Sequence, residues 1–144
     1  MPELLQSIEA SAFAAVLRTS FYAYPLVNAA HVLGAGGLVV LVWLMHGSLR
    51  SGDPFRARFF RRLVIVALIA MLLTGAALFS IKAGDYAANP AFRLKMALLT
   101  AALVNVAVYY LAGKARPAIR ALAALASVIL WPIILVAGRF IGFV

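Results

Sequence analysis

Between Arg62 and Lys82 the chain reads Leu63-Val-Ile-Val-Ala-Leu-Ile-Ala-Met-Leu-Leu-Thr-Gly-Ala-Ala-Leu-Phe-Ser-Ile81, with no charge along its length. Such a run matches the ~20 apolar residues needed to cross a bilayer core as a helix. Three further stretches have the same character. They run from about Tyr22 to His46, Ala91 to Leu111 and Ile119 to Phe143. Backbone polar groups in lipid must be paired internally, so the four crossings are helices, not strands. Pro90 and Pro117 stand where the third and fourth begin, positions at which a missing N–H costs nothing. Pro132 falls inside the fourth and predicts a kink there.

The whole composition agrees with lipid as the main solvent. The 144 residues are 66% hydrophobic and 12% charged, with mean hydropathy +1.05, against ~45–50% apolar residues in a soluble domain. The fold class that follows is all-α, an integral membrane four-helix bundle in a single domain. Residues 3–18 place Leu4, Leu5, Ile8, Ala12, Ala15 and Val16 along one side and predict a short helix, interfacial or packed on the bundle end. With Glu3 and Glu9 as its first charges, this segment lacks the basic start of a cleaved signal peptide.

A net charge of +9 in a soluble protein would suggest nucleic acid. Here the basic residues flank apolar segments, and topology explains them better; nucleic acid is not an expected partner. Arg50, Arg56, Arg58, Arg61 and Arg62 lie between the first two crossings, and Lys114 and Arg116 between the last two, with Arg120 just beyond. Arg18, Lys82, Arg93, Lys95 and Arg139 lie toward the opposite side, with Glu3, Glu9 and Asp85. The positive-inside rule therefore predicts cytoplasmic loops and both termini outside.

Against this apolar background a few polar residues mark a site. His31, within Tyr24-Pro-Leu-Val-Asn28-Ala-Ala-His31-Val-Leu-Gly34, lies ~10–13 Å below the outer end of its helix at 1.5 Å per residue. A titratable group at that depth points to function. Lys95 and Arg139 fall ~7 Å from the same side, and Thr74 and Ser80 in the same half. His31 is either satisfied by polar neighbours such as Asn28, one turn away, or it lines a pocket, as ligand to a metal or haem iron or as a proton relay. Lys95 and Arg139 either snorkel to headgroups or hold anionic groups such as haem propionates or a substrate carboxylate. Gly34, with Ala35, Gly36 and Gly37, leaves room for close helix contact or a flat macrocycle. Asn105 and Ser127 are set for interhelical hydrogen bonds, and Thr74 for a bond to its own backbone.

The only other histidine, His46, is fifteen residues on, ~22 Å along the helix. Its position at the cytoplasmic interface fits a solvated side chain. That spacing resembles two-haem b-type cytochromes, but two bis-histidine haems need more histidines than the chain has. Full protein ligation of one haem would need a homodimer, or Met71 or Met96 as second axial ligand. Without cysteine there is neither disulfide nor thiolate site. Phosphate-binding glycine loops, paired carboxylates, a nucleophile elbow and Met-rich copper tracts are absent too.

His31-Val-Leu-Gly34, Thr74-Gly75, Leu78-Phe79, Tyr86-Ala-Ala-Asn89-Pro90-Ala-Phe-Arg93-Leu-Lys95, Asn105, Ser127 to Trp131 and Gly138-Arg-Phe-Ile141 together resemble a family of small bacterial integral membrane proteins. More distantly the pattern is similar to membrane protoporphyrinogen oxidases and to the membrane domain of copper-resistance D-type proteins. In the oxidases a first-helix histidine and a lysine early in a later helix are thought important, and haem has been associated with the fold. His31 and Lys95 match those places. Asn28 and Ser48 stand where the nearer family tends to carry acids, and the first of these departures favours His31 as a neutral ligand over a proton relay. The expected function is b-type haem (or porphyrin) binding for electron transfer to a partner or quinone, with His31 as axial ligand and Lys95 and Arg139 on the propionates. Porphyrinogen oxidation, or a cofactor-free subunit of a larger membrane complex, are the alternatives.

Overall fold

The computed structural model describes residues 2–113 and 115–143. Lys114, counted above among the loop cations, lies outside them. Seven helices follow one another: α1 (Pro2–Glu9), α2 (Ala12–Thr19), α3 (Ala23–Arg50), α4 (Pro54–Phe79), α5 (Ala83–Ala88), α6 (Pro90–Leu111) and α7 (Pro117–Phe140). No strand occurs among the described residues. Four of the helices, α3, α4, α6 and α7, are long and apolar enough to cross a membrane. The molecule is an all-α bundle of four such helices, and its character is that of a multi-pass membrane protein.

Neighbours in sequence pair in space, α3 along α4 and α6 along α7, and α3 closes the bundle against α7. Leu38, Val42, Met71, Leu99, Ala102, Trp131 and Ile134 form the shared core. The outward faces are as apolar as the inner ones: Leu33, Val66, Leu73 and Leu122 are exposed. In water such a surface would be a liability; in lipid it is the ordinary solvent-facing side.

The helices begin where local chemistry supplies partners for unpaired N–H groups. Asp53 caps α4, its carboxylate accepting from the N–H groups of Phe55 at 3.1 Å and Arg56 at 2.9 Å, and Pro54 takes the first position. The arginine-rich segment expected as a loop is therefore the opening of α4, and Arg56, Arg58, Arg61 and Arg62 are helical. The connection shrinks to Ser51, Gly52 and Asp53, with Gly52 at φ 72°, a left-handed turn that favours glycine. Asn89 caps α6 by accepting from Phe92 N–H at 3.0 Å and donates to the Ile141 carbonyl at 3.3 Å, tying the start of α6 to the end of α7.

The single helix expected over 3–18 is two. Ser11 donates to the Ile8 carbonyl at 2.7 Å and accepts from Ala14 N–H at 3.2 Å, so one hydroxyl ends α1 and caps α2. This hairpin lies against the α4–α5 junction. Arg18 donates to the carbonyls of Glu9 at 2.9 Å and Ile81 at 3.1 Å, and Glu9 Oε1 accepts from Gly84 N–H at 2.7 Å. Ala14, Leu17 and Ala83 are buried beneath these bonds. We refer to this as the hairpin end of the bundle, and to the opposite one as the arginine end.

Pro132 stands inside an α7 that continues on both sides. Lacking an N–H, it leaves the carbonyl of Val128, four residues earlier, without its helical donor. The Trp43 indole N–H of α3 supplies the missing bond at 3.0 Å. One turn nearer the arginine end, Asn105 Nδ2 donates to Ser127 Oγ at 2.9 Å and to the Ala123 carbonyl at 2.8 Å, the interhelical bonds expected of that pair.

Candidate functional site

His31 and Lys95 meet in the hairpin half of the bundle, their side chains contributed by α3 and α6. The His31 ring is fixed first from α4. Its Nδ1 lies 3.1 Å from the Met71 carbonyl and 3.0 Å from Thr74 Oγ1. A carbonyl only accepts, so Nδ1 bears the proton. Thr74 spends its own hydroxyl hydrogen on its helix, donating to the Ala70 carbonyl at 2.8 Å, and its oxygen is left to accept from Nδ1. The lone pair of the neutral ring is then on Nε2. It faces Lys95 Nζ at 3.5 Å, a distance at which the ammonium is the donor.

Two glycines make this convergence sterically feasible. A Cβ on Gly75 would lie 3.0 Å from His31 Cε1 and 3.6 Å from Nδ1, so the imidazole rests on bare α4 backbone. A Cβ on Gly138 would lie 3.2 Å from Lys95 Nζ, 3.3 Å from Cε and 3.4 Å from Cδ, so the lysine stem crosses α7 at its only clear position. All four long helices thus contribute, with α3 giving the base, α6 the cation, and α4 and α7 the surfaces they lie on. One turn nearer the hairpin end stand three aromatic rings. Phe79 and Phe92 stack at 5.4 Å and 14°, and Tyr86 of α5 joins them at 5.7 Å from Phe92.

Among the described residues Lys95 has no carboxylate partner. The ion pair present among the described residues is the exposed Lys82–Asp85 contact at 3.8 Å. A cation held among apolar helices is costly unless something neutralises or solvates it, and here its acceptor is an uncharged imidazole.

Several expected members lie elsewhere. Arg139 is exposed at the end of α7, its guanidinium 4.9 Å over the Phe143 ring, and does not join Lys95. One residue along a helix is ~100° around it, so the turn that presents Gly138 to Lys95 carries Arg139 away. Asn28 is exposed and contributes nothing to His31, whose partners come from α4 and α6. Gly34, like Gly36 and Gly37, has nothing within 4 Å of a built Cβ and forms no part of the contact. Gly75, Gly138 and the Met71 carbonyl were not anticipated as site members. Glycine inside an apolar helix, costing ~1 kcal/mol against alanine, was the available signal for the first two.

Haem ligation at His31 can be tested against this geometry. The donor chemistry fits, because a ring anchored through Nδ1–H to a carbonyl offers Nε2, as metal-bound histidines commonly do. The space in front of Nε2, where an iron would have to lie, does not fit. Lys95 Nζ stands in front of Nε2, and Gly75 backbone closes one face of the ring. Two open cavities, of about 350 and 320 Å³, lie at the arginine end beside His46 and at the hairpin end beside Arg18 and Tyr24, and neither is lined by His31. No cluster of three or more His, Asp or Glu able to hold a metal occurs among the described residues. Comparison with protein-family models, curated proteins and solved structures returns no match.

Proposed function

We propose that the protein uses the His31–Lys95 couple as a membrane-embedded acid–base site for an amphipathic ligand bearing a carboxylate. The observation that carries this reading is a lysine ammonium among apolar helices whose acceptor is a neutral imidazole and not an anion. An incoming carboxylate would take the Nζ–H donors in a charge-assisted bond. That transfer frees Nε2, already oriented by Met71 and Thr74, to accept a proton from the ligand. Tetrapyrroles carry such carboxylates and are the class implied by the resemblance to the membrane protoporphyrinogen oxidases. The arginine end faces the cytoplasm of a bacterial inner membrane in this reading, and the His31–Lys95 couple lies in the outer half of the bilayer.

The test uses the full chain in lipid nanodiscs and the fluorescence of a dicarboxylic porphyrin. Wild type is expected to bind the free acid at least about tenfold more tightly than its dimethyl ester, the worth of one charge-assisted bond. Lys95→Met should abolish that preference and Lys95→Arg retain part of it. Equal binding of acid and ester, or an unaltered Lys95→Met protein, refutes the reading. A Soret band in purified wild type that is lost in His31→Ala would replace it with haem ligation.

A further inference from the structure

The second histidine occupies a different kind of place. His46 lines the cavity of about 350 Å³ at the arginine end, and its Nδ1 is buried with no hydrogen-bond partner among the described residues. A buried polar atom left unpaired costs ~1–3 kcal/mol, and such atoms are rare enough to require a cause.

The surroundings supply one. Arg50, four residues on from His46 and therefore on the same face of α3, lines the same cavity. From the other side comes Arg120 of α7. Its guanidinium is braced by α6, donating to the Tyr109 hydroxyl at 3.0 Å and lying 4.9 Å from that ring's centroid. One bond satisfies one of five guanidinium donors, and Arg50 has no hydrogen-bond partner among the described residues. No carboxylate lines the cavity. Two guanidinium groups, a phenol and the His46 ring thus line an open groove to which no described residue brings an anion. Ala121 and Ala124, three residues apart on α7, form an apolar wall leading from the arginines into the membrane-crossing part of the helix.

The geometry points to a phosphate-binding site here, between the ends of α3, α6 and α7, that holds the phosphate of an amphiphile against Arg50, Arg120 and His46. Guanidinium groups suit phosphate oxygens because their paired N–H donors match them two at a time. The His46 ring lies against the same groove, and the alanine wall receives the first methylenes of an acyl chain. The site is independent of the His31–Lys95 couple at the other end of the same helix.

Native mass spectrometry of the full chain in detergent tests it with three probes: phosphatidylglycerol, diacylglycerol of the same chains, and inorganic phosphate. One phosphatidylglycerol per chain should be retained at least about tenfold more tightly than diacylglycerol. Arg50→Gln with Arg120→Gln should remove that preference. The charge-matched pair Arg58→Gln with Arg62→Gln, outside the cavity, should leave it intact. His46→Phe and Arg120→Lys, which disturb packing less, should each weaken retention about threefold and carry the test if the double variant fails to fold. Inorganic phosphate bound with the same sensitivity to these variants, without lipid selectivity, would identify the free anion as the source of the phosphate and uphold the site. Equal retention of diacylglycerol without variant-sensitive binding of inorganic phosphate, or phosphate or lipid selectivity lost equally in the Arg58/Arg62 pair, overturns it.

Discussion

His31 and His46 ride on one helix fifteen residues apart, and the bundle treats them oppositely. At the hairpin end both ring nitrogens are engaged, Nδ1 by α4 and Nε2 by Lys95. At the arginine end a buried ring nitrogen is left bare beside two guanidinium groups. The first histidine is built into the protein; the second is completed by something from outside. Helical address and residue type are shared, so the difference comes from what the facing helices contribute.

The comparison breaks most readily by deleting each ring. His31→Ala removes the bonds to Met71 and Thr74 and leaves Lys95 without an acceptor, so it should destabilise by about 2–3 kcal/mol. His46→Phe removes an atom that has no partner and should be neutral or stabilising by up to about 1 kcal/mol when no phosphate compound is present. Reversible unfolding in mixed micelles measures both, and equal losses would erase the distinction.

The glycines sharpen the same contrast. A methyl at Gly75 drives into the His31 ring and is expected to cost about 1–2 kcal/mol. At Gly34 it meets open space and should stabilise α3 by up to about 1 kcal/mol through helix propensity. Opposite signs in the melting temperatures of Gly75→Ala and Gly34→Ala are the expected result.

Between the two ends, Trp43→Phe should cost about 0.5–1 kcal/mol by orphaning the Val128 carbonyl. In a Pro132→Ala background the restored backbone N–H takes that carbonyl, and the tryptophan's contribution should shrink toward zero. A double-mutant cycle reads this coupling directly.

The smallest effect concerns Tyr86, above the couple. Burial raises its phenol above the ordinary tyrosine value, with Tyr24 and Asp85 adding to it. The folded protein therefore keeps a proton that the unfolded chain loses. Stability from this group is intact below the ordinary tyrosine range and declines as pH rises through it. Ultraviolet titration should show one tyrosine ionising late, and Tyr86→Phe should remove that component.

Hydropathy was sufficient for the four long helices, since length and apolarity are all a bilayer asks of a span. It said less about rotation around each axis. These helices are apolar on every side, so no stripe announces which face turns inward. His31, Lys95 and Thr74 were legible because a polar atom in such a helix has to find a partner. Arg139 and Asn28 share their depth but not their rotation, and only coordinates separate Arg139 from Gly138. The α1–α2 break was written in Ser11, and the early start of α4 in Asp53-Pro54, both local signals outweighed by the breadth of the apolar and arginine patterns around them.

The bonds that seat the N-terminal hairpin also set an order of assembly. Arg18 and Glu9 grip Ile81 and Gly84, residues made only after the second long helix. The hairpin, made before the four long helices, is thus among the later parts to dock. Until then the hairpin must be kept in a soluble or surface-bound state, and its closure marks the moment at which the α3–α4 pair is complete.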